Sequence, residues 1–360
     1  MTHSAPSLVL AINPGATSTK IALYRDEALV KEQVLRHGDD ELAAAGRVTA
    51  QGPFRTAAVR AFLAAEGVTP GALHAVVGRG GLLRPLPSGT YAVDDAMIVD
   101  LERAERGEHA SNLGGVMARA IAAEHDAPAF IVDPVCVDEY TDVARVSGMA
   151  GIEREAISHA LNTKAVARRY AREQGKRYAD LRLIVAHLGT GVSVSAHEDG
   201  RMIDVTNPRD EGPLSPDRPG GLPLTGVVRW CFESGTDARA VMRQFFGAGG
   251  LYSYLGTRDL RVVMQRVDAG DAQAALLVRA MIYQIGKAIG EMATVLRGRV
   301  DAIVLTGGMA YEPRVVEGIA ERVRWIAGIT CYPGEDELPA LVAGALRVLR
   351  GEEPARTYGL

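Results

Sequence analysis

Three short turns of small and polar residues have the composition needed to hold an anion such as a phosphate group. They are residues 13–18 (NPGATS), 187–191 (HLGTG) and 306–309 (TGGM), and each directly follows an apolar stretch typical of a β-strand. Glycine lets the backbone approach an anion closely, and hydroxyl groups add hydrogen-bond donors. One such turn is weak evidence, because an ordinary hairpin turn has the same composition. Three of them, each at the end of a strand, predict a phosphate or nucleotide site.

Charged side chains at other strand ends could complete this site. Arg79 follows the stretch HAVVG, Asp133 follows AFIV, and Arg218 lies in a long loop rich in proline and glycine. A guanidinium group binds a carboxylate or phosphate through two parallel hydrogen bonds, and a carboxylate is a ligand for Mg²⁺. Each residue also has a plainer interpretation, as a solvated arginine or a turn aspartate. The same two interpretations, ligand or structural residue, are open for His109 and His159.

The pattern of elements indicates how these residues are positioned. Strand-like apolar stretches alternate with amphipathic stretches, among them residues 154–174 and 272–296, which predicts an α/β fold with mainly parallel sheets. The stretches INPGATSTKIALY and VAHLGTGVSVSAHEDGRMIDV share one plan, in which a small-residue turn joins two apolar strands. Chance similarity and shared ancestry are equally open; shared ancestry would mean a duplicated βββαβα-type domain with the ligand in the cleft between the halves.

Length, charge and composition exclude several classes of protein. A chain of 360 residues exceeds the usual size of a single core, so we expect two domains. The sequence has no apolar stretch of about 18 residues and no basic start followed by an apolar segment, so we expect neither a transmembrane helix nor a signal peptide. The net charge of −4 is spread along the chain, which predicts no nucleic-acid or membrane partner. Three isolated cysteines without CxxC or HExxH spacing favour a cytoplasmic protein without disulfides or zinc.

Ten stretches together resemble the acetate and butyrate kinase family, and within it the butyrate kinases most. This family belongs to the superfamily of actin, sugar kinases and heat-shock proteins (ASKHA). The stretches occur in the family's order and cover nearly the whole chain. They are INPGATSTKIALY, VVGRGGLLRPLPSGTY, GEHASNLGG, AFIVDPVCVDEYTDVARVSG, SHALNTKAVARRYA, IVAHLGTGVSV, EGPLSPDRPGGLP, YLGTRDLR, AIVLTGGMAYEPRVV and YPGEDELPALVAGALRVLRGEE.

The resemblance implies a fold of two duplicated, RNase H-like ASKHA domains with the active site in a cleft between them. The first domain would span residues 1–150 and be completed by a C-terminal helix within 339–360. The second, residues 151–338, would bind the nucleotide. The family also implies a homodimer or a higher homo-oligomer that binds ATP or ADP and a short-chain carboxylate or acyl phosphate.

The resemblance further assigns roles to individual residues. Arg79 and Arg218 would bind the substrate carboxylate, while His159 would hydrogen-bond the transferring phosphoryl group. Other residues near the phosphates would be Asn13, Gly15, Thr17, Ser18, His109, His187, Gly189, Thr190 and Gly191. The nucleotide would lie against Thr306, Gly307, Gly308 and Met309. Mg²⁺ would be held by Asp133 and Glu337, with the alignment within residues 335–337 open by a residue or two.

The chemistry of the implied reaction agrees with this set of residues. A carboxylate is already deprotonated at neutral pH, so it needs no general base to attack the γ-phosphoryl group of ATP. It needs relief from repulsion between two anions, in-line alignment and stabilisation of the equatorial oxygens. We therefore expect direct, reversible transfer from ATP to a short-chain carboxylate, giving an acyl phosphate and ADP.

The length of the acyl chain is a finer question. Acetate kinases typically carry a valine and a phenylalanine where this chain has Gly81 and Ser158, so we expect room for extra methylene groups, each worth roughly 0.8 kcal/mol on burial. This favours butyrate or isobutyrate, with a branched-chain or propionate-preferring kinase as the alternative. Two further alternatives on the same fold are a phosphohydrolase, which would need a positioned water, and a nucleotide-dependent binding protein, which would need a partner-binding domain.

Overall fold

The computed structural model describes residues 6–359 and divides the chain into two compact units. Unit 1 comprises the residues up to Val137 together with those from Asp336 onward, and unit 2 comprises Asp138–Glu335. The sequence analysis places the corresponding domain borders near residues 150 and 338. Each unit is built around one β-sheet.

The regular elements are numbered along the chain. The strands are β1 (Leu8–Pro14), β2 (Ser18–Arg25), β3 (Ala28–Arg36), β4 (Ala75–Arg79), β5 (Thr90–Ala92), β6 (Ala129–Val132), β7 (Leu183–Leu188), β8 (Val192–Glu198), β9 (Arg201–Val205), β10 (Ala302–Gly307) and β11 (Ile329–Pro333). The helices are α1 (Asp39–Ala45), α2 (Gly52–Ala65), α3 (Asp95–Arg103), α4 (Asn112–Glu124), α5 (Asp142–Arg145), α6 (Ala160–Glu173), α7 (Leu224–Glu233), α8 (Ala238–Phe245), α9 (Gly250–Leu255), α10 (Leu260–Asp268), α11 (Ala272–Val295), α12 (Pro313–Val323) and α13 (Glu337–Leu349). Short 3₁₀ turns lie at Thr49–Gln51, Tyr178–Asp180 and Gly308–Tyr311.

The sheet of unit 1 has six strands in the order β3-β2-β1-β4-β6-β5. The first three strands form antiparallel hairpins, β1, β4 and β6 run parallel, and β5 is antiparallel to β6. Strand β1 is buried from Val9 onward, as expected for a central strand covered on both faces. Helices α2 and α4 pack on it through a core that includes Leu10, Ile12, Phe62 and Met117. Helix α13 also packs against β1, β4 and β6.

The sheet of unit 2 has five strands in the order β11-β10-β7-β8-β9. Alternate residues of β10 join two separate cores, because successive side chains of a strand point to opposite faces. Ile303 and Leu305 pack with α11 and α12, whereas Ala302 and Val304 pack with α6. Helices therefore cover both faces of the sheet.

The two sheets repeat one topology. In both, an antiparallel three-stranded meander is followed by a strand that pairs in parallel with the first strand and by another that pairs in parallel with that one. The order β3-β2-β1-β4-β6 thus corresponds to β9-β8-β7-β10-β11. The turn 13–18 and the turn 187–191 occupy equivalent positions in this repeat, between the first and second strands. The α/β class and the internal similarity expected from the sequence are therefore found in the structure.

The predicted helices agree with the structure to different degrees. The pattern over 272–296 corresponds to α11, whose start is capped by the Asp271 carboxylate accepting from the N–H of Ala274 at 3.0 Å. The helix predicted over 154–174 is too long at its start, because α6 begins at Ala160. Within residues 6–359, no helix combines the length and apolar character needed to cross a membrane.

Candidate active site

Unit 1 brings three of the sequence-predicted residues to one edge of its sheet. Asn13, Arg79 and Asp133 lie at or directly after the carboxyl ends of β1, β4 and β6, which are neighbouring parallel strands. The carboxyl ends of such strands meet at the same edge, where ligands of open α/β sheets bind. Asn13 and Asp133 are buried, and Arg79 is partly buried.

Glu337 joins two of these residues. It is the first residue of α13, and its two carboxylate oxygens have different partners. Oε1 forms an ion pair with the guanidinium group of Arg79, and Oε2 accepts a hydrogen bond from the Asn13 side-chain amide. The N-terminus of a helix also favours a negative charge. Unit 1 thus holds this carboxylate beside the predicted phosphate turn and the predicted substrate arginine.

Asp133 is held just as firmly at the end of β6. Its Oδ1 accepts hydrogen bonds from the Ser88 hydroxyl at 2.6 Å and from the N–H of Gly89 at 2.8 Å. Its backbone has a φ of 38°, which non-glycine residues rarely adopt. Strained backbone of this kind occurs most often at functional sites, where the surrounding structure maintains it.

The predicted phosphate turn is the tip of the β1–β2 hairpin. The N–H of Gly15 donates to the carbonyl of Ser18 at 2.7 Å, and Thr17 at the tip is exposed. Beneath the turn lies a side chain that is not among the residues predicted from the sequence, Arg55 of α2, which has no exposed surface. Its guanidinium group donates to the carbonyl oxygens of Gly15 and Ala16 at 2.9 Å and of Ser18 at 3.1 Å. A single arginine in a helical pattern normally predicts a solvated side chain, so no sequence signal marked it.

The space expected at Gly81 is filled. A Cβ atom at this position would lie 2.5 Å from Oδ1 and 2.6 Å from Cα of Asn112, and 2.8 Å from Cδ2 of Leu101. Ser158 is buried, with its hydroxyl 3.7 Å from the sulfur of Met202. Helices α3 and α4 therefore close in on Gly81, and the room for extra methylene groups is not found on the side of its missing Cβ.

His109 lies in the loop that leads into α4. Its side chain is exposed, and its Nδ1 is 2.9 Å from the hydroxyl of Ser111. Asn112 connects this loop to the segment after Arg79, because it accepts from the N–H of Leu82 at 2.9 Å and donates to the carbonyl of Gly107 at 3.0 Å. The loop that carries His109 is thus fixed relative to the end of β4.

Unit 2 brings the two predicted phosphate histidines together. The rings of His159 and His187 are stacked, with centroids 3.8 Å apart and planes inclined by 10°. His159, the residue directly before α6, has its Nδ1 2.9 Å from the hydroxyl of Ser193. His187, near the end of β7, has its Nδ1 2.9 Å from Asn162 Oδ1 and its Nε2 3.1 Å from Glu335 Oε1. The partners Ser193, Asn162 and Glu335 were not singled out from the sequence as histidine contacts.

Glu335 and Glu337 are separated by one residue but have different surroundings. Glu335 belongs to unit 2 and faces His187, whereas Glu337 belongs to unit 1 and faces Asn13 and Arg79. The alignment left open within residues 335–337 thus corresponds to two distinct chemical environments. Glu337 is the one that contacts Asn13 of the predicted phosphate turn and the predicted substrate arginine, Arg79.

The loop that carries Arg218 is tied to the turn 187–191. The hydroxyl of Ser215 donates to the carbonyl of Thr190 at 2.5 Å, and the N–H of Asp217 donates to the same carbonyl at 3.2 Å. Arg218 Nη1 lies 2.7 Å from Asp217 Oδ1, and Arg258 Nη1 lies 3.9 Å from Asp217 Oδ2. Burial raises the pKa of the Asp217 carboxyl, while the two arginines act to lower it. Asp217 therefore holds the substrate arginine proposed from the sequence.

A cavity of about 810 Å³ lies within unit 2 beside these turns. It combines residues predicted to bind ATP phosphates with residues predicted to bind the nucleoside. It also contains charged residues that the sequence analysis quoted only as part of the stretch YLGTRDLR. The lining residues are Gly189, Thr190, Pro216, Arg258, Asp259, Leu260, Arg261, Gly308, Met309, Tyr311, Glu312 and Glu335. This volume suits a nucleotide-sized ligand.

Two of the predicted nucleotide residues lie beneath this cavity. Thr306 is fully buried, and its hydroxyl donates to the carbonyl of Gly334 at 3.2 Å. Gly307 has a φ of 93°, and a Cβ there would lie 2.5 Å from the carbonyl oxygen of Leu188. Gly307 thus allows β10 to approach the turn after β7, while Gly308 and Met309 reach the cavity. Gly191 lies near His159, because a Cβ on it would be 3.6 Å from the imidazole Cε1.

Comparison with known proteins gives a consistent result. The model of the acetokinase family matches residues 144–331. Butyrate kinase 1 of Clostridium acetobutylicum is 51% identical over 351 residues, which cover 97% of this chain and 99% of that protein.

Two solved structures share the fold at low sequence identity. The acetate kinase of Porphyromonas gingivalis has a TM-score of 0.77 and 18% identity, covering 95% of this chain and 100% of that one. A propionate kinase of Francisella tularensis has a TM-score of 0.74 and 17% identity, covering 93% and 98% of the two chains. The ASKHA fold class predicted from the sequence is thereby confirmed, and the chain belongs to the acetokinase family.

Proposed function

We propose that this chain transfers the γ-phosphoryl group of ATP to the carboxylate of butyrate or isobutyrate, producing an acyl phosphate and ADP in a reversible reaction. The observation that supports this most is the 51% identity with a butyrate kinase over 97% of the chain. The charges and hydrogen-bond donors of both units suit the same reaction.

The proposed mechanism needs no general base, because the attacking carboxylate is already ionised at neutral pH. Arg79 and Arg218 bind this carboxylate, since a guanidinium fork matches its geometry and offsets its repulsion from the phosphates. His159 hydrogen-bonds the equatorial oxygens as charge shifts during in-line transfer, and Asn13 contacts the same group. Asp217 holds the Arg218 guanidinium group through their 2.7 Å contact.

The nucleotide half of the proposal rests on unit 2. The 810 Å³ cavity is lined both by Gly189 and Thr190, expected near the phosphates, and by Gly308 and Met309, expected near the nucleoside. His187 would contact the ATP phosphates and is oriented by Asn162 at 2.9 Å. His187, Gly189 and Gly191 keep the roles expected from the family.

We include Mg²⁺ in the proposal, held by Asp133 and Glu337. Both residues supply carboxylate oxygens at the same sheet edge of unit 1, and oxygen donors are what Mg²⁺ prefers. A metal held by two carboxylates takes its other ligands from phosphates and water. When bound, Mg²⁺ neutralises charge on the phosphate oxygens.

A direct assay tests the proposal. Acyl phosphate is trapped as a hydroxamate after incubation with MgATP and acetate, propionate, butyrate or isobutyrate in turn. We expect kcat/KM to rise from acetate to butyrate or isobutyrate. Because the space at Gly81 is filled, chain length has to be decided by this series of acids. A maximum of kcat/KM at propionate or acetate would change the proposed substrate to that shorter acid. ATP hydrolysis without hydroxamate from any acid would point to a phosphohydrolase instead.

Direct transfer is tested separately. After incubation with γ-labelled ATP and no acid, the protein should carry no label that butyrate can discharge at the rate of turnover. A labelled protein that is chemically and kinetically competent would replace direct transfer by a phosphoenzyme. A cytoplasmic location and a homo-oligomeric state complete the proposal. The location is supported by three free cysteines and the oligomer by the family resemblance alone.

A further inference from the structure

Arg55 carries a positive charge in the interior of unit 1 directly behind the phosphate turn. It has no exposed surface, and within residues 6–359 it forms no ion pair with a carboxylate. Besides the turn carbonyls, its guanidinium group donates to Gln51 Oε1 at 2.8 Å and to the Thr19 hydroxyl at 3.2 Å. Burying an arginine without a counter-ion costs free energy of folding, so we expect this buried charge to have a functional role.

The hydrogen bonds of Arg55 determine which way the turn faces. The carbonyl oxygens of Gly15, Ala16 and Ser18 all point to the guanidinium group. All peptide bonds of the described chain are trans, and in a trans peptide the N–H points opposite to the carbonyl of the preceding residue. The N–H groups of Ala16 and Thr17 therefore point away from the core.

These two N–H groups are available to a ligand. Ala16 and Thr17 are both exposed, and in the described part of the chain neither N–H donates to a protein acceptor. Adjacent N–H groups directed outward from a turn form a concave site for anions. The positive charge of Arg55 beneath the turn adds electrostatic attraction for the same anion.

We propose that Arg55 is the positioning residue of the phosphate turn, which orients the Ala16 and Thr17 N–H groups toward a phosphoryl group and supports them with its buried charge. This inference rests on the proposed function for the identity of the anion. Burial and then the charge of Arg55 lower the pKa of the His37 imidazole, and burial also lowers the pKa of Arg55 itself.

Arg55→Lys separates the charge from the geometry. A lysine keeps a positive charge at this position, but its compact ammonium group cannot reach three carbonyls and Gln51 at once. Arg60→Lys is the matched control, because Arg60 lies on the same helix, is exposed and pairs only with Glu124 in the described chain. We expect both variants to keep the melting temperature within a few degrees of the wild type.

Binding of inorganic phosphate and of ADP is measured by calorimetry for the wild type and both variants, followed by butyrate phosphorylation. We expect Arg55→Lys to weaken phosphate binding and to lower kcat about tenfold or more, while the Kd for ADP and the KM for butyrate change less than twofold. Arg60→Lys should match the wild type throughout. A purely structural role would reduce the fraction of binding-competent protein and leave the phosphate Kd unchanged.

The outcomes separate the two proposals. Equal phosphate affinity and equal kcat in Arg55→Lys and wild type overturn the role of Arg55, as does a wild type that binds no phosphate. Failure of the wild type to phosphorylate any acid overturns the proposed function, and the phosphate arm still decides the role of Arg55. If Arg55→Lys melts far below the wild type, Gln51→Met is used in its place, since it removes the two hydrogen bonds from the guanidinium group to Gln51 Oε1 and keeps the charge of Arg55.

Discussion

The imidazole rings of His159 and His187 lie face to face, with centroids 3.8 Å apart and planes within 10° of parallel. Two rings in contact over their whole faces cannot rotate independently, because protein interiors are close-packed. His159 is proposed to contact the transferring phosphoryl group, and His187 the phosphates of ATP. In this proposal, the stack couples the position of the transferring phosphoryl group to the binding of the ATP phosphates.

Replacing His159 by asparagine should lower kcat about 10²- to 10³-fold, the usual cost of removing one donor to a charged transition state. Ser193→Ala removes the 2.9 Å contact between the Ser193 hydroxyl and Nδ1 of His159, and it should lower kcat roughly tenfold or less. Steady-state kinetics with butyrate and MgATP measures both. Comparable kcat values for His159→Asn and the wild type would exclude contact between His159 and the phosphoryl group.

Glu337→Gln should raise the Mg²⁺ concentration needed for half-maximal rate by about tenfold or more, in the range seen when metal-site residues are changed. Glutamine can keep the hydrogen bond to Asn13, so the loss of charge is what is tested. Glu335→Gln is the comparison, and because it faces His187 it should act on the KM for ATP. The reverse pattern, with Mg²⁺ dependence altered only in Glu335→Gln, would assign the metal to the other glutamate.

Arg218→Lys should raise the KM for butyrate about tenfold and leave the KM for ATP nearly unchanged, because one ammonium group cannot replace a guanidinium fork. Arg258→Lys should do the opposite, since Arg258 lines the nucleotide-sized cavity. Asp217 contacts both arginines, so Asp217→Asn should affect both KM values. Equal effects of the two arginine variants on both substrates would contradict this division.

Gly114→Ala should destabilise unit 1 by about 1–3 kcal/mol, the usual cost of overpacking. A Cβ at this position would lie 2.2 Å from the carbonyl oxygen of Arg79, where α4 crosses the end of β4. Gly290→Ala is the matched control, because Gly290 also lies inside a helix and its Cβ would meet nothing within 4 Å. There the gain in helix propensity should stabilise by about 1 kcal/mol. Denaturant unfolding of the two variants gives the comparison, and equal stabilities would contradict it.

His197 should make the stability of unit 2 depend on pH. It is fully buried with Nε2 2.7 Å from the Ser195 hydroxyl, and burial, followed by the charges of Lys164 and Arg168, lowers its pKa well below the usual value. The pKa of His197 is lower in the folded state than in the unfolded state. The stability that the neutral, buried imidazole contributes is therefore complete above about pH 6.5 and is lost as the pH falls toward the folded pKa. The free energy of unfolding should fall by up to about 1.4 kcal/mol per pH unit below pH 6.5.

Urea unfolding at pH 7.5, 6.5 and 5.5 measures this slope. In His197→Gln the slope below pH 6.5 should be shallower, because the buried group that resists protonation is gone. His74→Gln, at an exposed histidine of unit 1, serves as control and should keep the wild-type slope. A His197→Gln protein with the full wild-type slope would assign the pH dependence to other groups.

Much of the fold could be predicted because local patterns agreed with the tertiary structure. The two strand–turn–strand stretches become β1–β2 and β7–β9. The periodic stretch 272–296 becomes α11, where an apolar face and a capping aspartate at 271 act together. Such elements depend on residues close in sequence, which a single sequence displays.

The remaining features depend on contacts between distant residues. Residues 154–159 stay outside α6 because Arg154 is held by Asp204 and Glu211, at 2.9 Å and 2.8 Å, and these ion pairs outweigh helix propensity. The size of Gly81 suggested open space, but Asn112 from a separate helix occupies it. Neither the burial of Arg55 nor the stacking of two histidines leaves a periodic signal in the sequence.

Unit 1 is built from two stretches of chain that are far apart in sequence, and this affects how the protein folds during synthesis. Residues from Asp336 onward complete this unit. They are separated from its first part by the roughly 200 residues of unit 2. At roughly 5–20 residues per second, a ribosome needs about 10–40 s to translate that interval. Until then β1, β4 and β6 lack α13, and Arg79 lacks the carboxylate of Glu337. Unit 2 is continuous in sequence and can fold during elongation, so nascent chains halted before residue 336 should resemble the native protein only in their later half.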